Sequence, residues 1–283
     1  MQTVAIVSGA NGYVGSHLIK ELEKEGITVY ALGSKHVDNS FRNIDMEQIK
    51  TGNIQADIFF HFAWHGTSGI SRGDVDSQIE NIAMSCEYLK LANDCGCKRF
   101  INAGSIMEYD ALNSYKNKNY PKALLYSVAK YTADYFCRIL ASDLGMEYIN
   151  VIISNIYGPG ECSARFINTV INKMKLNEDI FLTDCEQYYD FIYIDDAVRF
   201  ITYSGINGKP GEEYYIGNED VKKLKYYVEQ LKIILKSDSK ITYGAIEKDS
   251  PDLDFDIFDR GKIRREWGLT PAVDFKTGIL NII

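Results

Sequence analysis

The sequence predicts an α/β fold: a parallel sheet wound with helices on both faces, with a smaller α+β cap attached. Three observations carry that prediction. Apolar runs of strand length alternate with helical patterns through the N-terminal half. A glycine-rich turn joins the first strand to the first helix. The 283 residues, 46% hydrophobic and 25% charged, suffice for one large domain with a smaller one beside it.

"TVAIVSG" reads as a buried strand, because a strand covered on both faces shows a continuous apolar run. "GSHLIKELEKEG" has helical spacing, and Gly26 stops it. "TVYAL" is a second strand, and a short connecting region around "RNIDMEQI" leads to a third, "ADIFFHFA". "SQIENIAMSCEYLKLANDCG" is a long helix ended by Gly96. "KRFINAGS" is the next strand, then come a loop, the helix "LLYSVAKYTADYF" and the strand "MEYINVIISNIYG". Beyond about Tyr157 the pattern turns mixed. "ARFINTVINKMK" is helical and "DFIYIDDAVRFITYSG" is a short strand running into a helix. "EEYYIGN", "LKYYVEQLKIILK" and "KITYGAI" then alternate. The expected division is a large domain over 1–156 with a return over about 190–204, and a cap over 157–189 and 205–283. There is no internal repeat and no low-complexity linker.

Bulk properties exclude several classes. The net charge is -8, and basic residues are interspersed with acids, so no basic stripe offers itself to nucleic acid. The start shows no basic-then-apolar leader, and no apolar run approaches the ~18 residues of a membrane span. Six cysteines lack paired C-x-x-C spacing, and a chain of this size needs no disulfides for its core. The expectation is a reduced, soluble, cytoplasmic protein. His61 and His65 frame Trp64 at a strand end with no third ligand, so no metal is expected.

"SGANGYVGSH" places Gly9, Gly12 and Gly15, with Tyr13 and Val14 between them, directly after the first strand and at the start of a helix. Small residues there let the backbone turn tightly and approach a pyrophosphate, and the helix N-terminus favours its charge. That is the dinucleotide-binding turn of a Rossmann-type sheet. At the end of the second strand a carboxylate would suit the ribose of NAD. Gly33 stands there instead, followed by Ser34 and Lys35, a hydroxyl and a cation suited to a 2′-phosphate. NADP(H) is therefore favoured, with NAD(H) as the alternative.

In residues 124–136, Leu125, Val128, Thr132 and Phe136, continued by Ile139, fall three or four apart and make one mostly apolar face. Tyr126 and Lys130 sit on a different face, one turn apart. On a solvated face such a pair means nothing. The sharper reading is an ammonium that lowers the pKa of a proton-transferring phenol, which unperturbed titrates near ~10.

The Gly9, Gly12, Gly15 turn, "FFHFAW", Asn81, "FINAGSIMEY", "YSVAK", "SNIYGPG" and "DFIYIDDAV", in that order, resemble the extended short-chain dehydrogenase/reductases of the NAD-dependent epimerase/dehydratase family, which act on nucleotide sugars. "REWGLTP" resembles the family's closing motif. The resemblance implies that Tyr126 transfers the proton, Lys130 lowers its pKa and holds the nicotinamide ribose, and Ser105 hydrogen-bonds the reacting oxygen. It implies cofactor contacts at Ala63, Trp64 and Asn81. It places His65, Ile106 and Asn155 on the substrate side, Asn155 at the sugar nucleotide's phosphates. Dehydratases of the family carry an Asp-Glu pair where this chain has Ile106 and Met107, which cannot act as acid or base. Epimerases often carry an Arg where this chain has Tyr189, leaving Arg165 or Arg260 for the diphosphate.

The resemblance therefore implies an NAD(P)H-dependent reductase of a 4-keto nucleotide sugar, acting as a homodimer. The alternative is an epimerase with retained cofactor. A non-catalytic dinucleotide-binding protein would have no need of all three catalytic side chains.

Overall fold

The computed structural model describes residues 2–33, 40–52, 54–118, 120–248 and 252–283. The first part runs β1 (Val4–Ser8), α1 (Tyr13–Lys24), β2 (Thr28–Leu32), β3 (Arg42–Ile44), α2 (Met46–Lys50), β4 (Ile58–His61), α3 (Val75–Asp94), β5 (Arg99–Ser105), α4 (Glu108–Asn117), α5 (Leu124–Leu144) and β6 (Glu147–Ile153). The rest runs β7 (Asn155–Tyr157), α6 (Phe166–Lys175), β8 (Ile180–Phe181), β9 (Tyr188–Tyr189), β10 (Phe191–Tyr193), α7 (Ile194–Asn207), β11 (Glu213–Ile216), β12 (Lys222–Lys223), α8 (Leu224–Leu235), β13 (Ile241–Thr242), α9 (Lys262–Trp267) and α10 (Phe275–Leu280). No helix among the described residues is long and apolar enough to cross a membrane.

Seven parallel strands form one sheet in the order β11-β6-β5-β4-β1-β2-β3. From β1 the chain winds outward through β2 and β3, then returns to β1's other side with β4. That reversal opens a crevice at the carboxyl ends of β1 and β4. The apolar strand runs have a physical reason, since adjacent residues point to opposite faces and both faces are covered. Val7, Phe60, Ile101 and Val151 pack with α1 and α7 residues such as Leu18 and Ile201. Ile6, Phe59, Phe100 and Tyr148 pack with Leu89, Cys137 and Ala141 of α3 and α5.

Four features depart from the sequence reading. The region around "RNIDMEQI" is not a bare connection: Arg42–Ile44 adds the sheet's edge strand, and Asp45 caps α2 through Gln48 N at 2.8 Å. "MEYINVIISNIYG" is two strands, because the chain leaves the sheet after Ile153 and β7 pairs with β10 instead. β11 lies within 205–283, assigned above to the cap, yet it is the other edge of the main sheet, with Tyr214, Tyr215 and Ile216 buried. Finally, α5 faces the opposite way from its apolar pattern. Val128, Phe136 and Ile139 are 43%, 53% and 64% exposed, whereas Tyr126, Ala129, Lys130, Ala133, Cys137 and Ala141 are buried. Small side chains on that inner face let α5 lie close against α3 and the sheet.

The remaining elements form a smaller layer over the crevice, with α6 against α8 and α10 against α8 and β10. The "REWGLTP" segment is tied back to α7. Buried Asp196 accepts from the N–H groups of Ala272 and Val273, each at 2.9 Å, and from Arg199 at 2.6 Å.

Candidate active site

A cleft of about 630 Å³ opens at the carboxyl ends of β1, β4 and β5. Its floor begins with the glycine turn. Gly9 has φ +73°, and a Cβ there would fall 2.5 Å from the Phe62 carbonyl carbon. A Cβ on Gly15 would fall 2.2 Å from Gly9 O. Glycine at both positions lets α1 start hard against β1 and β4, which brings its positive N-terminal end to the cleft wall at Gly12, Tyr13 and Val14. The Tyr13 hydroxyl is buried without a hydrogen-bond partner among the described residues.

The wall after β4 is fixed from beneath by a polar chain. The Ser8 hydroxyl accepts from Phe62 N at 3.1 Å and Ala63 N at 3.3 Å, so its own proton goes to His61 Nδ1 at 3.0 Å. His61 Nε2–H then donates to Ser85 Oγ at 2.9 Å, and Ser85 donates to Asn81 O at 2.8 Å. This bookkeeping requires a neutral imidazole, and burial, helped by the Lys130 charge, holds the His61 pKa down to about 3. The loop that follows is held by α3. Asn81 bonds both His65 N at 2.9 Å and His65 O at 2.8 Å, and Gln78 accepts from the Trp64 indole at 3.2 Å.

β5 delivers Ser105 to the cleft, and the buried turn of α5 delivers Tyr126 and Lys130. The Ser105 hydroxyl accepts from Met107 N at 3.2 Å and faces the Tyr126 phenol. Burial pushes the phenol above its ordinary value, while Arg72, the Ser105 hydroxyl and Arg165 pull it back. The net direction is opposite to the lowering expected from Lys130, because the phenol is almost closed off from water. Lys130 Nζ donates to Ala103 O at 2.8 Å and lies 3.7 Å from the Trp64 ring centroid. Burial lowers its pKa, and the neighbouring Glu108 carboxylate opposes that. Glu108 is itself buried. It accepts from Ser105 N at 2.8 Å and Asn150 Nδ2 at 3.3 Å, and burial pushes its carboxyl well above the carboxylate range.

The cleft brings together Gly9, Gly12, Tyr13, Val14, Gly15, Trp64, Ser105, Ile106, Tyr126, Lys130 and Asn155. Three expected residues sit elsewhere. Asn81 is fully buried behind the wall, and its amide bonds His65 N and O, which holds the loop. His65 is exposed and Ala63 lies beside the cleft; neither lines it. Asn155 does line it, and its Nδ2 donates to Asp190 O at 2.9 Å. Ser34 and Lys35 lie outside the described residues, and Gly33 is exposed. Of the two cations considered for a diphosphate, Arg165 lines the cleft with a buried Nε that has no partner among the described residues. Arg260 is engaged by Glu219 O at 2.8 Å and Asp256 at 2.7 Å.

Residues 5–217 match the model of the NAD dependent epimerase/dehydratase family. The chain belongs to that family. It is similar to CDP-abequose synthase of Salmonella typhimurium, 26% identical over 100% of this chain and 98% of the relative. Among solved structures it is similar to dTDP-glucose 4,6-dehydratase from Streptomyces venezuelae with NAD bound, at TM-score 0.78 and 21% identity over 98% of this chain and 94% of that one. It is also similar to UDP-glucose 4-epimerase from Thermotoga maritima with UDP-glucose, at TM-score 0.76 and 20% identity over 99% and 97%. These two likenesses show the fold.

Three features of this epimerase/dehydratase family member were missed in the sequence. Arg72 lines the cleft, and its guanidinium lies 5.0 Å from the Tyr126 ring centroid. Glu108 stands three residues after Ser105, a spacing that would have pointed to it once Ser105 was placed at a strand end. Gln78 shares a helix face with Asn81, at i and i+3, and could have been found from that spacing. Arg72 left no such signal in "ISRGD".

Proposed function

We propose that the chain is an NAD(P)H-dependent reductase of a 4-keto nucleotide sugar. The observation that carries this reading is the meeting of Ser105, Tyr126 and Lys130 in one cleft with the glycine turn, while Ile106 and Met107 line the positions where a dehydratase needs acids. The turn fits a dinucleotide, since Gly9 and Gly15 leave bare a cradle that a Cβ would fill. The turn, the N-terminus of α1 and Lys130 would hold it. When bound, a reduced nicotinamide dinucleotide supplies a hydride. Tyr126 gives its phenolic proton to the substrate's C4 oxygen, and Ser105 steadies that oxygen as negative charge builds on it. The Trp64 ring and Ala103 O fix the Lys130 ammonium close by.

Similarity to a synthase of a CDP-linked sugar supports the substrate class. The Arg165 Nε, buried with no partner among the described residues, supports diphosphate recognition on the cap side. The outward apolar stripe of α5 supports a homodimer, because a second copy would cover Val128, Phe136 and Ile139.

The deciding experiment incubates purified protein with NADPH and a panel of CDP-, dTDP- and UDP-linked 4-keto-6-deoxy sugars. Stoichiometric loss of nicotinamide absorbance is expected with one of them. Interconversion of two 4-hydroxy nucleotide sugars with no added cofactor would establish the epimerase instead.

A further inference from the structure

The Tyr126 phenol has a cation on it that its own helix does not supply. Between β4 and α3 the chain makes a 3-10 turn, Gly69–Gly73, and Arg72 projects from it. The turn is held firmly. A Cβ on Gly66 would fall 2.6 Å from Ser71 O, and one on Gly73 would fall 2.8 Å from Lys122 Cγ, so the segment is pressed between its own loop and the approach to α5. Asp74, two residues beyond Arg72, caps α3 through Ser77 N at 2.9 Å. Arg72 Nε donates to Thr67 O at 2.8 Å, which fixes the guanidinium, and its central carbon then lies 5.0 Å from the Tyr126 ring centroid. Trp64 meets the same ring edge-on at 6.2 Å. Lys130, by contrast, is engaged with Ala103 O and the Trp64 ring.

We infer that Arg72 is a positioning residue of the reaction that acts through Tyr126: its guanidinium stabilises the phenolate left when the proton passes to the substrate oxygen. The inference rests on the reductase reading for its chemistry. In the step, the Tyr126 O–H bond breaks, the substrate oxygen gains that proton as the adjacent carbon gains a hydride, and the negative charge stays on the phenol oxygen until a solvent proton replaces it. A cation against the ring lowers the free energy of that charged state, and it acts strongly because the site is largely closed to water.

The surroundings bear on the same balance. Facing the phenol are Ser105 from β5, Glu108 from α4 and Arg165 ahead of α6, with Lys130 on the same helix. Glu108 opposes ionisation of the phenol, and Arg165 favours it. Facing Arg72 are Asp110 of α4 and Tyr189 of β9. Burial pushes Asp110 up to about 6 against the pull of Arg72, so in neutral and alkaline solution Asp110 is charged and offsets part of the guanidinium's field.

The test reads the phenol itself. Difluorotyrosine, whose free phenol titrates near neutral pH, is placed at position 126 by amber suppression, and its titration in the folded protein is followed by fluorine NMR. Arg72→Met should raise its midpoint by about one unit, the low end of what a neighbouring opposite charge does. Arg72→Lys should keep most of the original position. In turnover, the alkaline limb of the reduction rate should move up in Arg72→Met with a lower plateau, and stay in place in Arg72→Lys. An unchanged midpoint in Arg72→Met overturns the inference, and so does an equal shift in both variants, which would make shape rather than charge responsible. If Arg72→Met fails to fold, Arg72→Gln against Arg72→Lys makes the same comparison. The titration needs no substrate, so failure of every 4-keto sugar to react would remove the reductase reading and leave the Arg72 result standing.

Discussion

Tyr126 is surrounded by a ring-edge contact with Trp64, the facing Ser105 hydroxyl and the Arg72 guanidinium, and each can be separated from the others by substitution. Tyr126→Phe keeps the ring and its packing and deletes one proton. Cofactor binding and thermal stability should survive while turnover falls by about 10²-fold or more; near-normal turnover would mean another group handles the proton. Glu108 makes a different kind of prediction. Its carboxyl titrates higher in the folded protein than in the unfolded chain, so between those two values the folded state holds a proton the unfolded state has lost. Stability from this group is therefore complete in acid and drains away as pH rises through the folded value. Glu108→Gln keeps an acceptor for Ser105 N and removes the titration. Urea midpoints followed from mildly acidic to mildly alkaline pH should slope less in the variant than in the parent, and parallel slopes would show that Glu108 does not titrate in this window. For the cofactor, Gly33 offers no carboxylate to a ribose 2′-hydroxyl, so NADPH should bind more tightly than NADH, and Lys35→Ala should weaken NADPH more than NADH. Equal affinities in the parent protein would remove the basis for the preference.

At the level of elements, α5 explains what periodicity can and cannot read. Spacing finds large apolar side chains, and Leu125, Val128, Phe136 and Ile139 are the large ones, so they were read as the helix's apolar face. The true inner face is built from Ala129, Ala133, Cys137 and Ala141 around Tyr126 and Lys130, because a helix lying close on both a sheet and α3 has no room for bulk. Ala133→Leu should therefore destabilise the fold by about 1–3 kcal/mol through overpacking, measured by urea unfolding. Phe136→Glu should leave monomer unfolding within about 0.5 kcal/mol and, if the proposed dimer forms through this face, shift sedimentation toward a monomer; an unaltered sedimentation profile would remove the basis for a dimer through α5. The glycine turn and the Ser105, Tyr126 and Lys130 positions were legible because each lies at a strand end or on one helix turn. Arg72 was not, since what matters about it is the approach of a turn between β4 and α3 to a helix that begins only at Leu124.

Across the whole molecule, alternating strands and helices were enough to indicate the winding of the sheet, but not that β11 would close its far edge. A short apolar run such as "EEYYI" carries no mark of which sheet it will join, and only the free edge of β6 decides that. The same half of the chain holds Asp196, whose buried carboxylate is met by the N–H groups of Ala272 and Val273. Leaving such an acceptor unpaired costs about 1–3 kcal/mol. The partners lie 76 and 77 residues further along the chain, so until that stretch is made the carboxylate has, of these groups, only Arg199 at hand. A nascent chain stalled at Gly268 should remain sensitive to added protease in α7, while a released chain that includes Ala272 and Val273 resists it. The making of Ala272 and Val273, rather than the emergence of the last sheet strand, is then the moment at which α7 becomes secure.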